Sequence, residues 1–140
     1  ASTSPRSSVR TIANAMDVGA PSNFERMMYL FNGDFGKVTS MVEGRSWSDG
    51  QIRKGISELF EKYGYLSDPH SAVGYLTYRD CNAEGWWVST AHAAKFGTVI
   101  SESIGQKPEL PERFREILAK PRFHQLMEAE ADALRSILLG

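Results

Sequence analysis

Val88-Ser89-Thr90-Ala91-His92-Ala93-Ala94-Lys95-Phe96 changes character part-way along. Upstream, Trp86, Trp87 and Val88 are the bulky, β-favouring residues of a short strand spanning residues 85–89. Downstream, the apolar spacing becomes helical and continues to about Gly105. Thr90 stands at the change. A hydroxyl residue there is either the N-cap of the helix or part of a ligand site, where a helix offers its unpaired N–H groups beyond the carboxyl end of a strand. The residues alone leave both open. They predict an α/β chain that is rich in helix and has few strands.

Upstream, Asp68-Pro69 supplies an N-cap followed by proline at the first helical position, starting a helix that runs to about Arg79. Before it, Ser48-Asp49-Gly50-Gln51 is a capping box, with Ile52, Ile56, Leu59 and Phe60 on one face and Gly64 placed to end the helix. Ser22-Asn23-Phe24-Glu25, after Pro21, has the same pattern and is followed by Met27, Met28, Leu30 and Phe31; Asn32-Gly33-Asp34 closes that helix. Thr11 to Val18 reads as a short strand or an active-site loop. Downstream, Leu110-Pro111 precedes a fifth helix that Pro121 stops, and a last helix runs from about Phe123 to Leu138. The total is about six helices. Residues 1–10 are Ser-rich without periodicity, a disordered arm or a segment cut from its neighbour, and residues 11–140 form one unit.

The 140 residues suffice for one domain with a real core, and 41% hydrophobic with 24% charged residues is ordinary for a globular protein. A formal charge of -1 gives no electrostatic reason to expect nucleic acid or an anionic membrane. The apolar runs are shorter than the roughly 20 residues of a membrane helix. Cys81 is the only cysteine, so no internal disulfide is expected, and the cytoplasm is the expected compartment.

Three blocks stand in order along the chain: Asn14-Ala15-Met16-Asp17-Val18-Gly19-Ala20-Pro21-Ser22-Asn23-Phe24-Glu25-Arg26, then Asp68-Pro69-His70-Ser71-Ala72-Val73, then Ser89 to Phe96. Together they resemble the NAMDV…SNFER, DPH-(S/T)-AV and STAHPAKF blocks of bacterial and fungal-type threonine synthases. The likeness runs from about Thr11 to Leu139, with Ala93 where the family usually has proline. It implies the C-terminal portion of a fold-type-II enzyme that uses pyridoxal 5'-phosphate (PLP). Such lyases of amino-acid biosynthesis convert O-phospho-L-homoserine and water to L-threonine and phosphate. Their aldimine-forming lysine and their glycine- and asparagine-rich phosphate loop belong to an N-terminal portion, and neither block is found among these residues. The implied partner is therefore that missing N-terminal portion, and this segment alone is expected to be inactive.

The resemblance also gives residues their roles. It makes Thr90 and Ser89 cofactor-binding and places Thr90 at the pyridine nitrogen of PLP, where a neutral hydroxyl stabilises the protonated ring less than an aspartate would. Asp17, Asn23 and Arg26 become candidate substrate contacts: arginine can pair bidentately with phosphate or carboxylate, although the residues alone favour a surface salt bridge to Glu25 or a neighbouring acid. His70 is either structural or at the rim of the active site. His92 either orients the junction or the substrate, or simply packs. Lys95, one turn beyond His92, reads as a solvated side chain and is not assigned to the cofactor.

Other chemistry finds no pattern. His70, His92 and His124 with one cysteine form no metal-ligand spacing, and His124 with Glu128 is a common surface pair. Gly33-Asp34-Phe35-Gly36 is too short for a nucleotide fingerprint, and no nucleophile elbow is present. Trp86 and Trp87 are expected as one core and one interface residue. Two functional classes remain. One is a portion of a PLP lyase, which should expose an apolar face; the other is a stand-alone, non-catalytic protein-interaction module derived from the same fold. A generic helical interaction domain is what remains if the block matches are coincidence.

Overall fold

Ser48 opens the longest helix as the sequence predicts: its Oγ accepts from the Gln51 amide at 3.4 Å, and the Gln51 side chain accepts from the Ser48 amide at 2.9 Å. The computed structural model in which this is seen describes residues 7–14, 17–81 and 84–139. Residues 1–6 of the expected arm and residues 15 and 16 of the first block lie outside that set. Seven α-helices are present among the described residues: α1 (Asn23–Leu30), α2 (Phe35–Met41), α3 (Asp49–Tyr63), α4 (Pro69–Cys81), α5 (Gly97–Ile104), α6 (Glu112–Leu118) and α7 (Ala131–Leu139). A 3-10 turn, Ala93–Phe96, leads into α5. The chain divides into two compact units, Ala1–Glu109 and Leu110–Gly140.

In the first unit the core lies where α3 meets α4 and α5. Ile52 and Ile56 of α3 pack with Ala72 of α4, Ala93 of the 3-10 turn and Ile100 of α5, all buried. Leu59, Tyr75 and Leu76 form a second buried group, against which Trp47 and Trp87 lie. Polar links reinforce the seams. Ser57 Oγ donates to the Ser103 carbonyl at 2.6 Å, and Arg53 pairs with Glu102 at 2.9 Å, joining α3 to α5. Glu58 joins α3 to α4 by accepting from the Tyr75 hydroxyl at 2.9 Å and pairing with Arg79. The Lys62 ammonium on the same carboxylate is the main cause holding Glu58 below the usual carboxylate range. Gly64, at φ 62°, ends α3 in the left-handed conformation expected of it.

Five expectations need correction. No strand occurs among the described residues, so the α/β expectation gives way to a helical one. Residues 86–90 have no regular structure, since an isolated strand has no neighbouring backbone to pair with. What holds the segment is the Trp87 ring, set against Tyr75 and Tyr78 of α4 at centroid distances of 5.6 and 5.5 Å, while Trp86 is 85% exposed. Thr90 does not start a helix; His92 does, its Nδ1 accepting from the Ala94 amide at 3.1 Å. The Ser22 box does not form. Ser22 is already helical (φ -65°, ψ -20°), so its hydroxyl makes no cap bond, and the Phe24 amide turns back to the Pro21 carbonyl instead. Helix α2 was not foreseen; Asp34 caps it by accepting from Lys37 at 3.0 Å. The last helix starts at Ala131 rather than near Phe123. Phe123 and Leu126 are each 91% exposed, so a helix there would have no packed face to stabilise it.

Candidate functional site

The site is built at the N-terminus of α4. Asp68, only 1% exposed, accepts through Oδ1 from the amides of His70 (3.0 Å) and Ser71 (3.3 Å), and through Oδ2 from the Ser71 hydroxyl. The cap that the sequence predicts is thus formed, and Pro69 is buried behind it at the first helical position. His70 completes the environment: Nδ1 lies 3.1 Å from Asp68 Oδ1, Nε2 lies 3.1 Å from the Ala13 carbonyl oxygen, and the ring meets Phe96 edge-on at 5.2 Å. His70 therefore joins α4, the Thr11 loop and the turn before α5.

Asp17 organises that loop. Its two oxygens accept from the Thr11 hydroxyl at 2.6 Å and the Thr11 amide at 2.7 Å. The hydroxyl bond, then the amide bond, holds the carboxyl below the ordinary aspartate value. Ile12 donates to Asp49 Oδ1 at 3.2 Å, anchoring the loop to the first turn of α3.

Ser71 turns the cap into a wall. Besides Asp68, its Oγ meets the Thr90 amide at 3.1 Å and the Ser89 hydroxyl at 3.1 Å, and the Tyr65 hydroxyl donates to Ser89 at 3.1 Å. Ser89 and Thr90 thereby face an open cleft of about 510 Å³, lined also by Tyr65, Leu66, Ala91, His92 and Ala93. His92 and Lys95 are exposed. Asn23 and Arg26 are exposed on α1; among the described residues no hydrogen bond or ion pair links either to Asp17, His70 or the cleft. Ser71 and Tyr65 are the residues that sequence reasoning missed. Ser71 carries a signal, a hydroxyl three residues after a capping aspartate; Tyr65 carries none. No group of three or more His, Cys, Asp or Glu residues able to hold a metal occurs among the described residues, and no helix of theirs is long and apolar enough to cross a membrane.

Residues 71–138 match the family model described as threonine synthase, C-terminal. Threonine synthase of Serratia marcescens is 32% identical over 139 residues, covering 97% of this chain and 32% of that protein. The Escherichia coli enzyme is 30% identical over 140 residues, and its crystal structure superimposes with a TM-score of 0.80 over 97% of this chain. This chain is homologous to the C-terminal portion of threonine synthase. It spans about a third of the length of the threonine synthases it matches (32% of the E. coli chain). A structure of PLP-bound threonine synthase from Brucella melitensis, 23% identical with a TM-score of 0.70, shares the fold.

The cleft's donor set suits one end of a PLP molecule. Of its neutral hydroxyls, that of Thr90 stands outside the bonds joining Tyr65, Ser89 and Ser71 and is fitted to hydrogen-bond a ring nitrogen without adding a full charge. Among the described residues that line the cleft, none is a lysine.

Proposed function

We propose that this chain forms one wall of the active site of a threonine synthase, which converts O-phospho-L-homoserine and water to L-threonine and phosphate. The observation that carries the reading is the Thr90 turn, facing an open cleft and tied to a buried, fully hydrogen-bonded Asp68 through Ser71. PLP, held mainly by the N-terminal portion of a fold-type-II enzyme, supplies an electron sink for the carbanions formed along the reaction. The residues here position and tune. Thr90 would present its hydroxyl to the pyridine nitrogen of the bound cofactor. The Thr11–Asp17 loop and His70 shape the rim, joined through the Ala13 carbonyl. Arg26 and Asn23, exposed on α1, are the proposed contacts for the substrate's phosphate or carboxylate, the arginine in a bidentate pair. His92 lies on the cleft wall, its Nδ1 committed to the turn it caps.

A chimera tests this: the N-terminal portion of E. coli threonine synthase joined to this chain, assayed for phosphate release from O-phospho-L-homoserine. Recovery of activity is expected, with a Thr90→Val variant altering both turnover and cofactor absorbance. The chain by itself should release no phosphate. A folded, PLP-loaded chimera without turnover would sink the proposal.

A further inference from the structure

The hydroxyl groups beside the cleft form a chain whose direction can be read. Asp68, as a carboxylate, only accepts hydrogen bonds, so the single proton of the Ser71 hydroxyl must point to it. Ser71 Oγ then has only lone pairs left for its other two neighbours, the Thr90 amide at 3.1 Å and the Ser89 hydroxyl at 3.1 Å. Ser89 must therefore give its proton to Ser71, and it accepts in turn from Tyr65. The relay runs Tyr65 to Ser89 to Ser71 to Asp68. Its sink is buried, with Asp68 1% and Ser71 0% exposed, so water does not compete at that end.

We infer that Ser71 is the positioning residue of the Thr90 turn, and that Ser89 belongs to this relay rather than to the groups that touch a ligand. Ser89 has no proton left to donate into the cleft. Thr90 differs: its amide is fixed by Ser71 while its hydroxyl is not part of the relay. The buried carboxylate thus sets where that hydroxyl stands, through one serine. The consequence for PLP rests on the function proposed above; the link between Ser71 and Thr90 does not.

The experiment has two readouts. In this chain without cofactor, amide exchange at Thr90 is followed by NMR. Ser71→Ala should speed it at least about fivefold while amides in α3 keep their protection. Ser71→Cys keeps the packing but is a poor hydrogen-bonding partner, and serves if the alanine variant does not fold; it should speed Thr90 exchange as well. Unchanged exchange in a folded Ser71 variant overturns the inference. In the chimera, PLP absorbance should shift in Ser71→Ala as in Thr90→Val, and less in Ser89→Ala. A Ser89→Ala shift as large as that of Thr90→Val would return Ser89 to the ligand contacts and overturn its place in the relay. If exchange responds to Ser71 but Thr90→Val leaves the spectrum untouched, the Ser71 link stands and the placement of Thr90 at the ring fails.

Discussion

Ala93 shows what one side chain contributes at the junction. It follows the capping residue His92, whose φ of -79° and ψ of 134° are the extended values a following proline demands. It also begins the 3-10 turn, where an amide has no partner within the turn and proline is tolerated. Ala93→Pro is therefore expected to fold and to gain about 0.4–1 kcal/mol by restricting the unfolded chain, seen as a higher melting temperature. At the rim, Thr11→Ala removes the largest cause of the depressed Asp17 pKa. The Asp17 carboxyl should then titrate closer to its ordinary value when followed by NMR. The sign follows: a carboxyl lowered in the folded state steadies its loop above the unfolded value, and that contribution fades as pH falls through the folded one. The Thr11 loop should loosen only in acid. Part of this site was legible beforehand, because Asp68 acts through an aspartate-proline pattern that local sequence carries whole. Ser71 acts on Thr90, 19 residues away, and no local pattern encodes that meeting.

Between elements, α3 packs against α4 at Gly55, where an added Cβ would lie 3.0 to 3.3 Å from three atoms of the buried Leu76 side chain. Gly55→Ala should cost about 1 kcal/mol net, overpacking outweighing the gain in helix propensity. Gly50→Ala, in the same helix with nothing within 4 Å, should instead stabilise by about 0.5–1 kcal/mol. Urea melts of the pair decide it. Glu58→Gln should flatten the acid limb of the stability curve. The wild-type carboxylate, lowered chiefly by Lys62, stabilises the α3–α4 seam above its unfolded value and loses that effect as pH falls through its folded one. The same scale explains what the sequence could and could not say about helices. Ser48 and Ser22 carry equivalent patterns, yet only Ser48 has the extended backbone (ψ 157°) that aims a hydroxyl at its helix. The strand expected at Trp87 came from composition, whereas its tryptophan is fixed by the rings of α4, a tertiary contact with no local trace.

At the scale of the whole chain, the last buried hydrophobic residue among the described ones is Ile100, and the unit Leu110–Gly140 carries exposed Phe123, Leu126 and Leu138. Such a surface favours self-association. Light scattering should show mass rising with concentration, and a Phe123→Glu, Leu126→Glu double variant should reduce the rise; a monodisperse wild-type chain would contradict this. The core around Ile56, by contrast, joins helices that follow one another in the chain, with Ser57 reaching Ser103 as one of the longer polar links. Little loop-closure entropy has to be met before those contacts form. Such a short-range arrangement is expected to favour fast folding. The packing partners described for α3, α4 and α5 all precede Gly105, so that nucleus can close while the residues after it are still being added to the chain.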